Sequence, residues 1–303
     1  MVETVRVIGV PTDFGTTRRG VDMGPSAIRY ADLTRHIESA GVTCADWGNL
    51  EVPIADRASE EEPVAGIRYL EETESVCNRL ADVVAESIEA DSLPLVLGGD
   101  HSVAIGSIAG SSRAADVGVL WLDAHGDFNT PETSPSGNIH GMPLAAALGH
   151  GAFADEPWAH ASGLAAENLV WVGLRDLDPG ERDRIQASDA TAFTMADVDE
   201  RGIDEVIEAA LDVATTGVDG LHVSLDLDWL EPTEAPGVGT PVAGGATYRE
   251  AHFALERVAA RADQTDLLRS MDVVEVNPIL DDRNETASLA TELIASTMGK
   301  RIL

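Results

Sequence analysis

Short apolar runs punctuate the chain at residues 5–10, 42–47, 94–97, 118–122, 169–174, 191–195, 220–225 and 267–276. Unbroken apolarity over so few residues suits strands buried on both faces, as in a parallel sheet. Between the runs the spacing changes to about 3.6 residues. Ile28, Leu33 and Ile37 predict a helix that ends before Gly41. Val76, Leu80, Val83 and Ser87 predict a second, and Ile203, Val206, Ile207, Ala210 and Leu211 a third. Tyr248, Ala251, Leu255 and Val258 predict a further one. Strand followed by helix, repeated, is the signature of an α/β fold with a parallel sheet and helices on both faces. Neither an internal repeat nor a Pro/Gly/Ser linker divides the chain, and the polar stretch at 58–63 reads as a loop.

Composition narrows the partners. The 303 residues carry 53 Asp plus Glu against 20 Lys plus Arg, a formal charge of −33. Such a chain repels nucleic acid, whose binding depends on Lys and Arg displacing phosphate counterions, and it repels an anionic membrane. Acidic excess signals disorder only where apolar content is low. Here 44% of residues are hydrophobic, so the acid coats a globule. Of the basic residues only Lys300 is a lysine. That shortage fits a surface adapted to molar salt, where the Debye length shrinks to about 3 Å and carboxylates cease to repel one another. No stretch reaches ~18 consecutive apolar residues. Residues 1–7 enter a strand pattern directly, without the regions of a signal peptide. Cys44 and Cys77 are too few for a disulfide framework, so a soluble protein of a reducing cytoplasm is expected.

In parallel sheets ligands bind at the carboxyl ends of strands, and there the candidate chemistry concentrates. Gly98-Gly99-Asp100-His101 follows the third run, and Asp123-Ala124-His125-Gly126-Asp127 follows the fourth. Asp226-Leu227-Asp228 ends the seventh, and Glu275 lies late in the eighth. In an extended segment residues two apart face one way, so Asp123, His125 and Asp127 can converge, as can Asp226 and Asp228. With His101 this makes two imidazoles and four carboxylates. So many carboxylates cannot stay ionised together without compensation, and two divalent cations would supply it. Mixed imidazole and carboxylate ligation suits Mn, with Zn, Fe, Co or Ni possible and Ca or Mg less suited.

These motifs, in this order, resemble the ureohydrolase family, and within it the branch that acts on arginine. The likeness extends to Gly9-Val10-Pro11, to Gly20-Val21-Asp22-Met23-Gly24-Pro25 and to Met271-Asp272-Val273-Val274-Glu275-Val276-Asn277-Pro278. It implies one three-layer α/β/α domain over residues 1–303, built on an eight-stranded, mostly parallel sheet. It also implies two Mn²⁺ ions. His101, Asp123, Asp127 and Asp226 would hold one; His125, Asp123, Asp226 and Asp228 would hold the other. By the same resemblance a bridging water, acidified to hydroxide, attacks a guanidinium carbon held by Glu275. Asp127 passes the proton to the leaving nitrogen, and His140 shuttles protons to solvent. Asn129, Ser134 and Ser136 would receive an α-carboxylate, and Asp178, with Glu181 behind it, an α-ammonium. L-Arginine is the implied substrate, L-ornithine and urea the products, and a trimer or hexamer the implied assembly. Relatives acting on agmatine, guanidinobutyrate or formiminoglutamate, or a silent binding subunit, are the alternatives. Trp229 stands where the family commonly has Gly, and Glu231 where it has Asp; Ser134 replaces Thr, and Pro135 follows it. A bulky Trp229 is expected to narrow the entrance or to alter the loop from Trp229 to Thr240. His36, His150, His160, His222 and His252 lack ligand spacing and are assigned to structure or surface, and both cysteines to buried thiols.

Overall fold

All eight apolar runs become strands of one sheet. The computed structural model describes residues 3–53 and 66–301; the loop expected at 58–63 lies outside them. The strands are β1 (Thr4–Val10), β2 (Thr43–Asn49), β3 (Leu93–Gly98), β4 (Val117–Leu122), β5 (Leu164–Leu174), β6 (Thr191–Thr194), β7 (Gly220–Asp226) and β8 (Leu268–Val274). They lie in the order β2-β1-β3-β8-β7-β4-β5-β6, and every pairing is parallel. β3, β4 and β7 are buried along their whole length. Burial on both faces fails at the edge: β2 has one neighbouring strand and is largely exposed. Its Trp47 is covered by the Arg6 guanidinium, 3.0 Å from the ring centroid, a cation–π contact.

The helices are α1 (Gly24–Tyr30), α2 (Leu33–Ser39), α3 (Leu70–Glu89), α4 (Val103–Ser111), α5 (Pro143–Ala147), α6 (Pro179–Ala187), α7 (Met195–Arg201), α8 (Ile203–Ala214), α9 (Tyr248–Thr265) and α10 (Glu285–Thr297). The single helix expected through Ile28 and Ile37 is two, because Asp32 takes a left-handed backbone (φ 62°) that a right-handed helix cannot continue. The helices read from periodicity near residues 80, 207 and 255 are α3, α8 and α9. By contrast α4 is buried on nearly every side, so it carries no polar stripe for a periodic pattern to reveal.

Alternation along the central strands divides the core. Leu95, Leu97, Leu120, Leu122, Val223, Leu225, Met271 and Val273 share one cluster with residues of α2, α8, α9 and α10. Their neighbours Val119 and Trp121 pack on the other face with α4 and α5 residues, and Val96 and Val274 with α3 residues. Three layers result. Layers approach closely where α8 crosses β4. A Cβ on Gly118 would come within 1.7 Å of the Ala214 carbonyl oxygen, a backbone group that cannot step aside. Gly118→Ala should therefore lower unfolding free energy by about 1–3 kcal/mol; an unchanged midpoint in urea would contradict this packing.

Candidate active site

Strand register gathers the chemistry. Leu97 pairs with Val273, Leu225 with Val273, Asp226 with Val274, and Leu122 with Leu225. The ends of β3, β8, β7 and β4, four adjacent strands, are thus level. His101 follows β3, Asp123 follows β4, Asp226 closes β7 and Glu275 follows β8. Simple alternation does not bring the ligating groups together, as the spacing suggested, because β4 stops at Leu122. Instead the Asp123 carboxylate accepts the His125 amide (2.7 Å) and the Asp226 carboxylate accepts the Asp228 amide (2.8 Å). Each is an Asx-type turn that bends the chain just past the strand. Asp127 and Glu275 sit at φ 49° and 64°, a left-handed backbone that favours glycine and is retained here at the site.

His101 Nδ1 faces one oxygen each of Asp127, Asp226 and Asp123, at 3.0, 3.1 and 3.2 Å. Yet this buried nitrogen forms a well-directed hydrogen bond with none of them. His125 Nδ1 lies 3.0 Å from Asp228 and 3.5 Å from Asp123. Both groups, His101–Asp123–Asp226 and Asp123–His125–Asp228, present converging donors of the kind that hold a cation. Electrostatics points the same way. Burial, with Asp228 and Asp123 close by, pushes Asp226 well above the carboxylate range. Burial likewise raises Asp228 to about 6 against the pull of His125. Positive charge placed among them would relieve that repulsion and keep them ionised. An orphaned ring nitrogen aimed at three carboxylates fits a metal ion, which takes the lone pair that no proton donor meets.

The cluster forms the floor of a cavity of about 150 Å³. His125, Asp127, Asp226, Asp228 and Glu275 line it, together with Asn129, Ser134, Ser136, His140 and Asp178 from the segments after β4 and β5 and Glu181 from the first turn of α6. His101 and Asp123 lie beneath, almost fully buried. One Glu275 oxygen accepts the His101 amide at 3.1 Å and lies 3.3 Å from His140 Nδ1. Burial alone would depress His140, but the Glu275 carboxylate overrides it and lifts the imidazole to about 9. Asn129 Nδ2 donates to Asp178 (3.2 Å), and Glu181 accepts the Phe128 amide (3.0 Å). Ser134 and Ser136 hydroxyl oxygens accept the amides of Gly137 and Asn138, which leaves their protons for donation into the cavity.

Other contributors gave no signal in the sequence. His101 Nε2 meets Ser224 Oγ at 2.8 Å, and Ser224 donates to Asp272 at 2.6 Å. Asp272 also receives Ser107 and faces His222 Nε2 at 3.1 Å. His222, Ser224 and Asp272 lie inside strand runs and Ser107 lies on α4, and no local spacing ties them to the site. His222 is structural as expected, yet it belongs to this buried chain leading to a site imidazole. Trp121 stacks on His101 (4.1 Å between centroids) and donates to Asp123, while Thr240 donates to Asp228 at 3.0 Å. Trp229 does not narrow the entrance. It is fully buried, its indole occupying the space where a Cβ on Gly173 would stand. The cysteines are free; Cys77 is buried, with burial pushing its thiol to about 12, and Cys44 is half-buried.

A parallel three-layer α/β fold with imidazoles and carboxylates converging at its central strand ends defines a protein able to hold metal ions at the mouth of its sheet. Comparison with known proteins makes this specific: residues 3–299 match the arginase family, to which the chain belongs. It is 47% identical over 308 aligned positions to arginase from Brevibacillus brevis, covering all of both chains. Arginase from Bacillus subtilis is likewise 47% identical over the full length of both. The crystal structure of Bacillus caldovelox arginase superposes with a TM-score of 0.93 at 45% identity, covering the whole of each chain.

Glu181 offers a test of the site's electrostatics in metal-free protein. Burial raises its carboxyl from an ordinary 4.5 to about 8. Between those values the folded chain keeps a proton that the unfolded chain has lost, so stability falls as pH rises through this window. Glu181→Gln, which can still accept the Phe128 amide, should flatten that fall. Parallel melting-temperature curves for the two proteins from pH 5 to 9, in EDTA, would rule the raised value out.

Proposed function

We propose that this protein hydrolyses the guanidinium group of L-arginine to L-ornithine and urea. The observation that carries the reading is one small cavity with three kinds of recognition. It has a metal-ligating floor, a carboxylate at Glu275, and a rim that combines amide and hydroxyl donors with the Asp178 and Glu181 carboxylates. Such a rim suits the α-carboxylate and α-ammonium of an amino acid, and membership of the arginase family supports the same choice.

His101, Asp123, Asp127 and Asp226 would hold one manganese, and His125, Asp123, Asp226 and Asp228 would hold the other. When bound, the pair would compensate the buried carboxylates and supply the Lewis acidity that makes a water nucleophilic near neutral pH. The rest falls to the chain's own groups. Glu275 pairs with the guanidinium and holds its carbon over the floor. The Asp127 carboxylate takes the proton of the attacking water and returns it to the departing nitrogen. His140, in contact with Glu275 and still partly open to solvent, carries protons between site and bulk. Asn129, Ser134 and Ser136 receive the α-carboxylate, whereas Asp178, backed by Glu181, receives the α-ammonium.

The acidic surface, short of lysine, supports function at molar salt, and two free thiols suit a reducing cytoplasm. None of the described helices is long and apolar enough to cross a membrane. The family resemblance supports a homotrimer or hexamer.

A urea assay with Mn²⁺ across arginine, agmatine and guanidinobutyrate, run over a KCl series, tests substrate and medium together. Arginine should turn over fastest, with the best rates near molar salt; faster agmatine hydrolysis would overturn the substrate assignment. Asp127→Asn should lose most activity and bind metal more weakly. His140→Asn should slow turnover while retaining full metal content. Small and equal losses in both variants would contradict these roles.

A further inference from the structure

We propose that Arg175 is a positioning residue for Asp228 and Thr240, acting as a clamp on the main chain that carries both. Arg175 follows β5, outside the metal-ligating motifs. All three of its guanidinium nitrogens are engaged, and among the described residues every partner is a backbone carbonyl. Nη2 donates to Asp228 (2.6 Å), Val242 (2.8 Å) and Leu230 (3.2 Å). Nη1 donates to Trp229 (3.2 Å) and Gly173 (3.4 Å), and Nε to Val242 (3.2 Å). Six contacts from five N–H groups thus reach five carbonyls, Val242 accepting from both Nε and Nη2.

Four of those carbonyls, Asp228, Trp229, Leu230 and Val242, belong to the two ends of one loop; the fifth, Gly173, lies on β5 beside Arg175 itself. Residues 228–230 leave the site and Val242 returns toward it. A backbone bridge joins Leu230 to Ala246 just beyond, with hydrogen bonds from Glu231 N to Ala246 O and from Ala246 N to Trp229 O. The Glu231 carboxylate takes the opposite polarity, accepting the Gly244 and Gly245 amides at 2.7 and 3.0 Å. Positive charge therefore gathers the loop's carbonyls while negative charge gathers its amides. Gly245 has no room for a Cβ, which would come within 2.6 Å of Arg175 Nη2.

The loop so closed presents Thr240, whose hydroxyl donates at 3.0 Å to the Asp228 oxygen that faces His125 Nδ1, also at 3.0 Å. Asp228 is consequently held twice. Arg175 fixes its carbonyl and Thr240 its carboxylate, and both constraints run through the same guanidinium. Lysine cannot replace this group, because an ammonium concentrates three donors at one point and lacks the planar fork.

The inference rests on Asp228 as a metal ligand, so its test reads loop order and metal affinity separately. Full-length wild type, Arg175→Lys and Glu231→Gln would be compared by circular dichroism, by deuterium uptake of peptides spanning 228–246, and by Mn²⁺ titration followed by electron paramagnetic resonance. Arg175→Lys should keep its secondary structure and gain uptake in 228–246 alone. It should bind the weaker of two Mn²⁺ ions roughly tenfold to a hundredfold less tightly, with kcat reduced more than KM is raised. Glu231→Gln should show the same local loosening and a smaller loss of the same ion. Unchanged uptake and Mn²⁺ affinity in Arg175→Lys would overturn the clamp. So would Glu231→Gln that loosens the loop yet binds both ions as wild type does, and it remains decisive if Arg175→Lys fails to fold. Wild type that binds no Mn²⁺ would overturn the assignment of Asp228 itself, a distinct failure.

Discussion

Four carboxylates, Asp123, Asp127, Asp226 and Asp228, are buried within reach of two imidazoles, and the surrounding architecture answers to that crowding. Like charges withdrawn from water repel in a medium that screens them weakly. Such a group persists only where donors are aimed at each oxygen and the backbone is too well supported to relax. The Asx turns at Asp123 and Asp226 spend an amide on each. Trp121 and Thr240 donate to Asp123 and Asp228. Left-handed backbone at Asp127 and Glu275, at about 1–3 kcal/mol each, is sustained by the four level strands beneath.

The same demand explains why the core is not simply apolar. On the central strands His222, Ser224, Ser270 and Asp272 alternate with Val223, Leu225, Met271 and Val273, so one face of β7 and β8 is polar where it meets α4. A buried carboxylate such as Asp272 is tolerable because Ser107, Ser224 and His222 all point at it. His222 and Ser107 hold its charge below the usual carboxylate range against burial, which alone would raise it. The chain ends on His101 Nε2, and the opposite ring nitrogen is thereby left to the carboxylate cluster.

Two populations of acid follow. Inside, a few carboxylates at the strand ends and cavity rim are balanced by donors and by fit to cations. Outside, among the described residues, the other carboxylates are at least partly open to solvent apart from Asp100 and Asp272, relieved in places by Arg pairs such as Arg261 with Glu208 and Asp212. The formal charge of −33 is therefore chiefly a property of the surface. It says little about the reaction.

Much of the fold was legible along the chain because parallel strands are short, apolar and separated by amphipathic helices. All eight runs and the long helices α3, α8 and α9 stood out for that reason. Likewise the metal-ligating types were legible because they cluster within a few residues of strand ends. What the chain could not show is which strands are neighbours. That β3, β8, β7 and β4 lie side by side, with their ends level, is a matter of long-range pairing, and local pattern carries no register between distant segments. Nor could it show that Trp229 turns inward against Gly173, that Asp32 breaks a helix, or that Arg175 reaches across to a loop more than fifty residues on. Those outcomes depend on close packing, where a side chain goes wherever tertiary neighbours leave space and partners. Residue types and strand ends were written in the sequence; convergence of those ends on a single point was decided by the sheet.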